Sequence, residues 1–435
     1  MTERELIEAL AEDVKTAGGR MYYVGGSVRD GSLGRAAEDL DCEVYGIDWA
    51  GCEAILSRFG HVHKKGKKYP VLGLEHHSFD ISIPHDESGN IIKLTKEGCR
   101  RRDFTINAMM RDVLDGHTID FYGGMEDLEK RTLRMVDQVT FTADALRVFR
   151  AARFCACLRF EITPDTMALC RKIHLEDIAR ERVYEELKKA LLMSDKPSLF
   201  FTTLCQMGHL QEWFPEVDAL IGVPQSPVFH PEGDVFTHTM MVLDEAAGLR
   251  QKAENPLGFM LSALCHDFGK AAATFEKNGK IHAYGHENQG LPLVEAFFRR
   301  FGVKNEEPHV KNMVKNHMRP NQMARSGSKL RKTRSMFDAS ICPEDLILLA
   351  RADAQGCGRE PDYQKASQYL EERFKDYQKR VGEPMVTGQD LLKLGYAPDN
   401  RMGEIVKRCR ELHFANFSKD EVMKLVLKEF PIGNH

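Results

Sequence analysis

The sequence predicts an α+β chain: a head in which short strands alternate with helices, then a long all-helical remainder. Three observations predict it. From about residue 20 to 135, the β-rich runs "LDCEVYGI", "YPVLGLE" and "SFDISIP" alternate with helical segments. From about 140 onward, "TADALRVFRAARFCACLRF" and "ERVYEELKKALLM" place apolar residues at helical spacing with no strand signal. The chain has 435 residues, too many for one core, so two to four domains are expected.

In chain order, "MTERELIEALAEDVKTAGG" is amphipathic, with a capping-box pair in Thr2 and Glu5 and a glycine stop, and reads as a helix. A β-rich run, Met21–Val24, leads into Gly25-Gly26, and Ser27–Leu33 follows as one or two helical turns. Backbone N–H groups at such a turn bind phosphate, because glycine lets a ligand approach and the first helical N–H groups lack partners. Arg29 adds a rigid donor fork for phosphate oxygens. Asp39 and Asp41 stand two apart, which in a strand puts both carboxylates on one face. They repel unless a cation lies between them, so they predict a Mg²⁺ site. Asp80, in the third β-rich run, is a neighbouring-strand carboxylate that completes or supports that site. A glycine pair alone marks an ordinary turn and Asp-x-Asp alone a solvated loop. Their order and closeness between Tyr22 and Gly46 carry the reading.

Beyond the head, "VPQSPVFHPEGD" (Val223–Asp234) is rich in proline and polar turn residues and predicts a domain boundary, with another near "GCGREPD" (Gly356–Asp362). Between them, His238, His266-Asp267 and Asp353 form an H…HD…D pattern, and "CHDFGK" closes an apolar helical run. Imidazole nitrogens and carboxylate oxygens suit Mn²⁺, Ni²⁺, Co²⁺ or Zn²⁺, with His286 and His317 as further ligands or phosphate contacts. Near the C-terminus, "TGQDLLKLGY" reads as a turn and a helix start.

Net charge is −4, from 61 basic and 65 acidic residues, so overall charge does not announce a nucleic-acid binder. Local clusters carry that argument: "KKGKK" (Lys64–Lys68), "CRRR" (Cys99–Arg102) and "SKLRKTR" (Ser328–Arg334). Eleven scattered cysteines without a C-x-x-C pair fit reduced thiols and a cytoplasmic protein, not a disulfide framework or a cysteine zinc site. No stretch approaches a membrane span.

Five ordered motifs, "GGSVRD", "DLD", "RRDFTINAM" (Arg101–Met109), "DFYGGMEDLEKRTLR" (Asp120–Arg134) and "ADALRVFRAARF" (Ala143–Phe154), resemble the class II tRNA nucleotidyltransferases, the CCA-adding enzymes and bacterial poly(A) polymerases. "FPEVDALIGVPQ…FHPEGDVFTHTMMVLDEAA…ALCHDFGK" resembles the bacterial CCA-adding subtype with an HD domain, and the likeness covers nearly the whole chain. The resemblance implies a polymerase-β-like nucleotidyltransferase head (1–135), a helical neck and body that reads the base and binds RNA (136–225), an HD metal-dependent phosphohydrolase domain (226–360) and a helical tail (361–435). It implies that Asp39 and Asp41 hold Mg²⁺, that Gly25, Gly26 and Arg29 take the triphosphate, and that Arg102 is a further donor.

Asp144 and Arg147, three apart in the neck helix, then read the base. A carboxylate accepts from an amino group and a guanidinium donates to a ring acceptor, an order that cytosine and adenine present and uracil and guanine do not. Arg150 and Arg153 continue the spacing towards phosphate. The expected activity is CCA addition to tRNA from CTP and ATP, by a monomer or homodimer, with an HD site acting on 2′,3′-cyclic phosphates and phosphomonoesters. Two departures from the family pattern bear on this. Ala143-Asp144 replaces the usual Glu-Asp, and only "ISIPHDESGNIIKLTKEGCR" separates Asp80 from Arg101, where CCA-adding relatives carry a longer loop and CC-adding ones a shortened one. Ser88-Gly89-Asn90 within it predicts a tight hairpin turn. A CC-adding enzyme, a poly(A) polymerase and an RNA-binding protein with an inactive head are the alternatives.

Overall fold

The computed structural model describes residues 2–35, 40–65, 71–85, 90–358 and 360–432. The chain divides into two compact units, Met1–Val183 and Tyr184–His435.

The first unit opens with helix Glu3–Thr16, whose Thr2 and Glu5 form the expected reciprocal cap. Strands β1 (Arg20–Val24), β2 (Asp41–Tyr45), β3 (Val62–Lys65), β4 (Val71–Leu74), β5 (Asp80–Ser82), β6 (Met110–Asp112) and β7 (Thr118–Ile119) form one sheet in the order β3-β4-β5-β2-β1-β6-β7. Only β2 and β5 run parallel; every other pair in this sheet is antiparallel. Leu6, Ile7, Leu10 and Val14 of the helix join Met21, Cys42, Val44, Leu72 and Ile81 in one buried core. Alternation along β2 puts Cys42 and Val44 into that core and turns Asp41, Glu43 and Tyr45 to the other face. One face of the sheet packs on that core, and the other carries Asp41 and Glu43 beside a second, smaller buried cluster of Tyr22, Val24, Tyr45, Cys99 and Met110.

Helix Arg147–Leu158 follows the head and buries nine residues, Val148, Phe149 and Phe154 among them. Asp144 corrects an expectation here. It precedes the helix, accepting from Leu146 N at 3.2 Å, so Asp144 and Arg147 do not share a helix face. The hairpin expected within residues 85–98 has flanks that pair: His85 and Ile91 form an antiparallel bridge, and Ile92 N donates to Pro84 O at 2.7 Å. Asp86–Gly89, and with them most of the expected turn, lie outside the described residues, as do Asp39, Lys67 and Lys68.

The second unit is helical apart from a two-stranded hairpin, Phe275–Lys277 with Lys280–His282. Helices Val235–Leu249, Pro256–Cys265, His286–Phe301, Glu307–Asn316 and Pro343–Gly356 carry its central residues. Asp234 and Asn255 cap the first two by accepting from Thr237 N and Gly258 N. The segment Val223–Asp234 is a closed loop and not an extended linker. Val235 N donates to Val223 O, and Gly222 N to Asp234 Oδ2. Thr387 opens helix Gly388–Lys393 with a full capping box, beside a small core that includes Leu391, Ile405 and Val422. No helix among the described residues is long and apolar enough to cross a membrane.

Candidate active sites

In the head, β1 hands the chain to Gly25, whose φ of +65° is a left-handed value that glycine takes at little cost. A Cβ at Gly25 would lie 3.9 Å from Arg102 Nη1, and one at Gly26 3.5 Å from Arg29 Nη2, so both guanidinium groups stand over the turn. Arg29 is fixed from behind: Nε and Nη2 donate to Asp30 at 2.8 Å, and Nη1 donates to Asn107 Oδ1 at 2.8 Å. Arg102 is fixed by Glu43, whose Oε1 also takes Arg101 at 2.6 Å, while Oε2 accepts from Tyr45 OH at 2.6 Å. Burial pushes Glu43 up, but Arg102 and Arg101 outweigh it and hold the carboxyl below its ordinary range. Glu43 was not singled out from sequence, although it stands two after Asp41 and its alternation was legible.

Asp41 and Asp80 are direct partners in the β2–β5 pairing. In-register residues on adjacent strands project to the same side, so two carboxylates emerge together beside the glycine turn. Lys65 Nζ approaches Asp80 Oδ1 at 3.4 Å. An all-oxygen carboxylate donor set fits Mg²⁺.

The neck residues are already engaged. Asp144 takes Arg182 at 3.3 and 2.8 Å. Burial raises its carboxyl, but the Arg182 hydrogen bond and charge outweigh that and hold it below the ordinary value. Arg147 donates to the carbonyls of Thr140 and Arg101 at 2.6 and 2.5 Å. Arg150 donates to Asp103 at 2.7 Å. Arg153 is only 8% exposed and lies 4.0 Å over the Phe154 ring. Its place on the inward side of the helix corrects the expectation that it reaches phosphate.

Asp103 links neck to turn. It accepts from Arg150 and from Asn107, which in turn receives Arg29. Its burial raises the carboxyl, but Arg150 and Asn107 outweigh this and bring it down from its ordinary 3.8 to about 2. A depressed carboxyl stabilises the fold fully above the unfolded value and loses that contribution as pH falls through the folded one. The Asp103 contribution, on the order of 2 kcal/mol, is therefore present above about pH 4 and fades towards pH 2. Arg150→Ala strands the buried carboxylate, and its urea midpoint at pH 7 is expected to fall by the equivalent of about 3–5 kcal/mol. An unchanged midpoint refutes the link.

The second unit gathers all six residues that the sequence singled out there. His266, His286 and His317 each tie Nδ1 to the carbonyl three residues before, at 2.9, 2.8 and 2.7 Å, leaving Nε2 to face inward. His238 is oriented the same way by Glu232, whose Oε1 lies 2.8 Å from Nδ1. His266 Nε2 and His238 Nε2 are 3.4 Å apart, and His286 Nε2 and His317 Nε2 are 3.2 Å apart. Two nitrogens about 2.05 Å from one tetrahedral ion would stand about 3.3 Å apart.

Asp267 joins the two pairs. Its Oδ2 is 3.2 Å from His266 Nε2 and 3.6 Å from His238 Nε2; its Oδ1 is 3.3 Å from His286 Nε2 and 3.7 Å from His317 Nε2. Asp353 Oδ1 lies 3.2 Å from His238 Nε2. The donors thus form two sets, His238, His266 and Asp353, and Asp267, His286 and His317. His286 and His317 are buried like His238 and His266. Asp267 is 1% exposed, and neither of its oxygens accepts a hydrogen bond of normal geometry, although Lys270 Nζ pairs with Oδ2 at 2.7 Å. Buried carboxylate oxygens facing imidazole nitrogens fit divalent ions. Burial alone would raise the Asp267 carboxyl, but His266 and Lys270 hold it well below its ordinary range. Burial, aided by the His266 charge, brings His317 down to about 3, which keeps its imidazole neutral, the form that ligates.

A cavity of about 1050 Å³ opens onto Asp267, His286, His317 and Asp353. Sequence reasoning passed over Gln225, His230 and Glu232 because they lie in the loop read as a boundary. Lys270 had a visible signal, standing three residues after Asp267 in "CHDFGK". Lys270 Nζ donates to Gln225 Oε1 at 2.7 Å, and Cys357 Sγ lies 3.5 Å from His230 Nδ1.

Residues 21–134 match the poly A polymerase head domain, 159–221 the probable RNA and SrmB-binding site of polymerase A, and 235–354 the HD domain. A multifunctional CCA protein of Cupriavidus metallidurans is 35% identical over 81% of this chain and 89% of its own length. That of Alkalilimnicola ehrlichii is 33% identical over 92% of this chain and 98% of its own. Among solved structures, a CCA-adding enzyme with CTP aligns over 98% of this chain and 95% of its own (TM-score 0.64, 19% identity). The Thermotoga maritima CCA-adding enzyme complexed with tRNA aligns over 98% and 95% (TM-score 0.62, 20% identity). The chain belongs to the class II family of CCA-adding tRNA nucleotidyltransferases and poly(A) polymerases, in the bacterial branch that carries an HD domain.

Proposed function

We propose that this chain adds CCA to the 3′ end of tRNA from CTP and ATP, and that its HD domain hydrolyses phosphate esters at damaged RNA ends. The in-register carboxylates Asp41 and Asp80, beside a glycine turn roofed by two fixed arginines, carry the first reading. The relatives that span most of the chain, each named a multifunctional CCA protein, support it. The division of labour follows the segments 1–135, 136–225, 226–360 and 361–435.

Asp39, Asp41 and Asp80 would hold Mg²⁺, which supplies charge neutralisation at the triphosphate and acidifies the tRNA 3′-hydroxyl. Arg29 and Arg102 receive the triphosphate oxygens over Gly25 and Gly26. The 3′-hydroxyl oxygen bonds to the α-phosphorus, the bond to the bridging oxygen breaks, pyrophosphate leaves and the hydroxyl proton is lost. Asp144 and Arg147 select the base once they exchange Arg182 and the two carbonyls for its amino group and ring acceptor.

The test is a tRNA ending in CC, offered ATP alone. Addition of a single A is expected. Failure there, with rapid extension of a tRNA lacking CC by CTP, makes this a CC-adding enzyme. Long A tails make it a poly(A) polymerase, and no incorporation makes the head inactive.

The second reading rests on the twin donor sets about Asp267. His238, His266, Asp267, Asp353, His286 and His317 would hold divalent transition metal ions, which supply an activated water and stabilise charge on phosphate. The water oxygen bonds to phosphorus and one ester bond breaks. A 2′,3′-cyclic phosphate thus becomes a monoester, and a monoester becomes an alcohol and inorganic phosphate. Lys270 holds Asp267 in place, and Glu232 sets the His238 tautomer.

A further inference from the structure

We propose that Tyr284 and His282 form a base-stacking platform at the mouth of the metal cavity, so that the site takes the phosphate of a nucleotide end in preference to a base-free ester. The proposal rests on the phosphohydrolase reading of that cavity and adds to it the residues that choose the substrate.

The platform is exposed and yet ordered. Strands Phe275–Lys277 and Lys280–His282 are joined by Asn278 and Gly279, at φ +54° and +70°, the two-residue turn with both central φ positive that matches strand twist. The turn fixes Phe275 opposite His282, with ring centroids 5.6 Å apart. Tyr284 stacks on His282 at 5.0 Å with 23° between planes and lies 5.9 Å from Phe275. Tyr284 is nevertheless 70% exposed and Phe275 43%. Tyr284, stacked on His282 and buttressed by the tilted Phe275 ring, offers its exposed π face to a ligand.

Its position gives that surface a task. His282 and Tyr284 line the same cavity as Asp267 and His317. Only Gly285, at φ +72°, separates Tyr284 from His286, whose Nδ1 donates to the carbonyl of Ala283. The platform and one candidate metal ligand therefore lie on one short stretch of chain, tied together by that hydrogen bond. Lys315, Arg319, Arg325 and Lys365 also line the cavity, and among the described residues none of the four forms an ion pair with a carboxylate. Arg319 is partly buried, its Nη1 donating to Asn316 Oδ1 at 2.9 Å. Unpaired cations around a metal cluster draw a polyanion, and an aromatic face beside them takes a base. Together they match the terminal nucleotide of an RNA.

The experiment compares the wild type with Tyr284→Ala and Tyr284→Phe, on 2′-AMP and on glycerol 2-phosphate, in the full-length, metal-loaded protein. Losing one base–aromatic stack is expected to raise KM for 2′-AMP about tenfold in Tyr284→Ala, with kcat and the glycerol 2-phosphate constants unchanged. Tyr284→Phe, which keeps the ring, should behave as wild type. Equal losses on both esters would reduce the cluster to a structural support and overturn the proposal, as would an unaltered KM for 2′-AMP. If the wild type hydrolyses neither ester, the phosphohydrolase reading fails first, and calorimetric binding then judges the platform. It stands if wild type binds 2′-AMP at least about tenfold more tightly than Tyr284→Ala does, and falls if the two affinities match.

Discussion

Exchange of Asp41 for asparagine is expected to lower incorporation of CTP and ATP into tRNA lacking its 3′ end by about 10³-fold, since a lost metal ligand removes several kcal/mol of transition-state stabilisation. The fold should survive. Asp41 is an exposed residue at the first position of β2, and a surface substitution there changes stability by about 0.5 kcal/mol or less. Asp80→Asn should behave alike, because the parallel register sets the two side by side. A Glu43→Gln change should act differently. It weakens the anchor of Arg102 over Gly25 and leaves the carboxylate pair intact, so it should raise KM for nucleotide more than it lowers kcat. Radiolabel incorporation with saturating and limiting CTP separates the two cases. Full activity in Asp41→Asn would remove this strand pair from the catalytic centre.

The head was legible in the sequence because each of its signals is local. A capping box, a β-rich run, two glycines and an arginine lie within 30 residues, and alternation along β2 follows from the period of a strand. What the sequence did not carry was register. Nothing in "SFDISIP" says that Asp80 comes to lie opposite Asp41; that depends on β5 running parallel to β2 between β2 and β4. The neck shows the opposite error. Three-residue spacing suggested one helix face for Asp144 and Arg147, but the helix begins at Arg147 and Asp144 sits in the turn before it. The three-residue spacing was there in the sequence, and the position of the helix start was not.

The candidate metal ligands of the second unit were found by pattern: a histidine beside an aspartate means little alone, but His238, His266-Asp267 and Asp353 in that order, with "CHDFGK" closing an apolar helical run, read as one donor set. Their supports were missed for the reason that hides most loop residues. Pro, Gly and polar residues between 223 and 234 look like a linker, and only the fold shows the loop closing through Gly222 and Asp234 to bring Glu232 against His238.

Asp267 is the residue whose loss should do most damage, because its two oxygens reach the imidazoles of both histidine pairs at once. Asp267→Asn keeps the shape and removes the charge. The amide offers one oxygen where the carboxylate offered two, to imidazoles 3.2–3.7 Å away on either side. It also leaves Lys270, 8% exposed and now beside only Gln225, without its counter-charge. Stranding a buried cation costs about 3–5 kcal/mol, which urea unfolding would show as a lower midpoint. Hydrolysis of 2′,3′-cyclic AMP should fall by about 10³-fold or more, while CTP incorporation at the head stays within about twofold. Partial unfolding could mimic the first effect, so a second variant separates chemistry from stability. His317→Gln removes one nitrogen of the second set and leaves the Asp267–Lys270 pair untouched. Titration with Mn²⁺, with the head site disabled by Asp41→Asn in both proteins, should then count two ions per chain with His317 present and one in His317→Gln, with hydrolysis lost in step. A single ion in both proteins would dismantle the bridged arrangement. Hydrolysis that persists in Asp267→Asn and under chelation would show that these histidines hold the fold and not a metal.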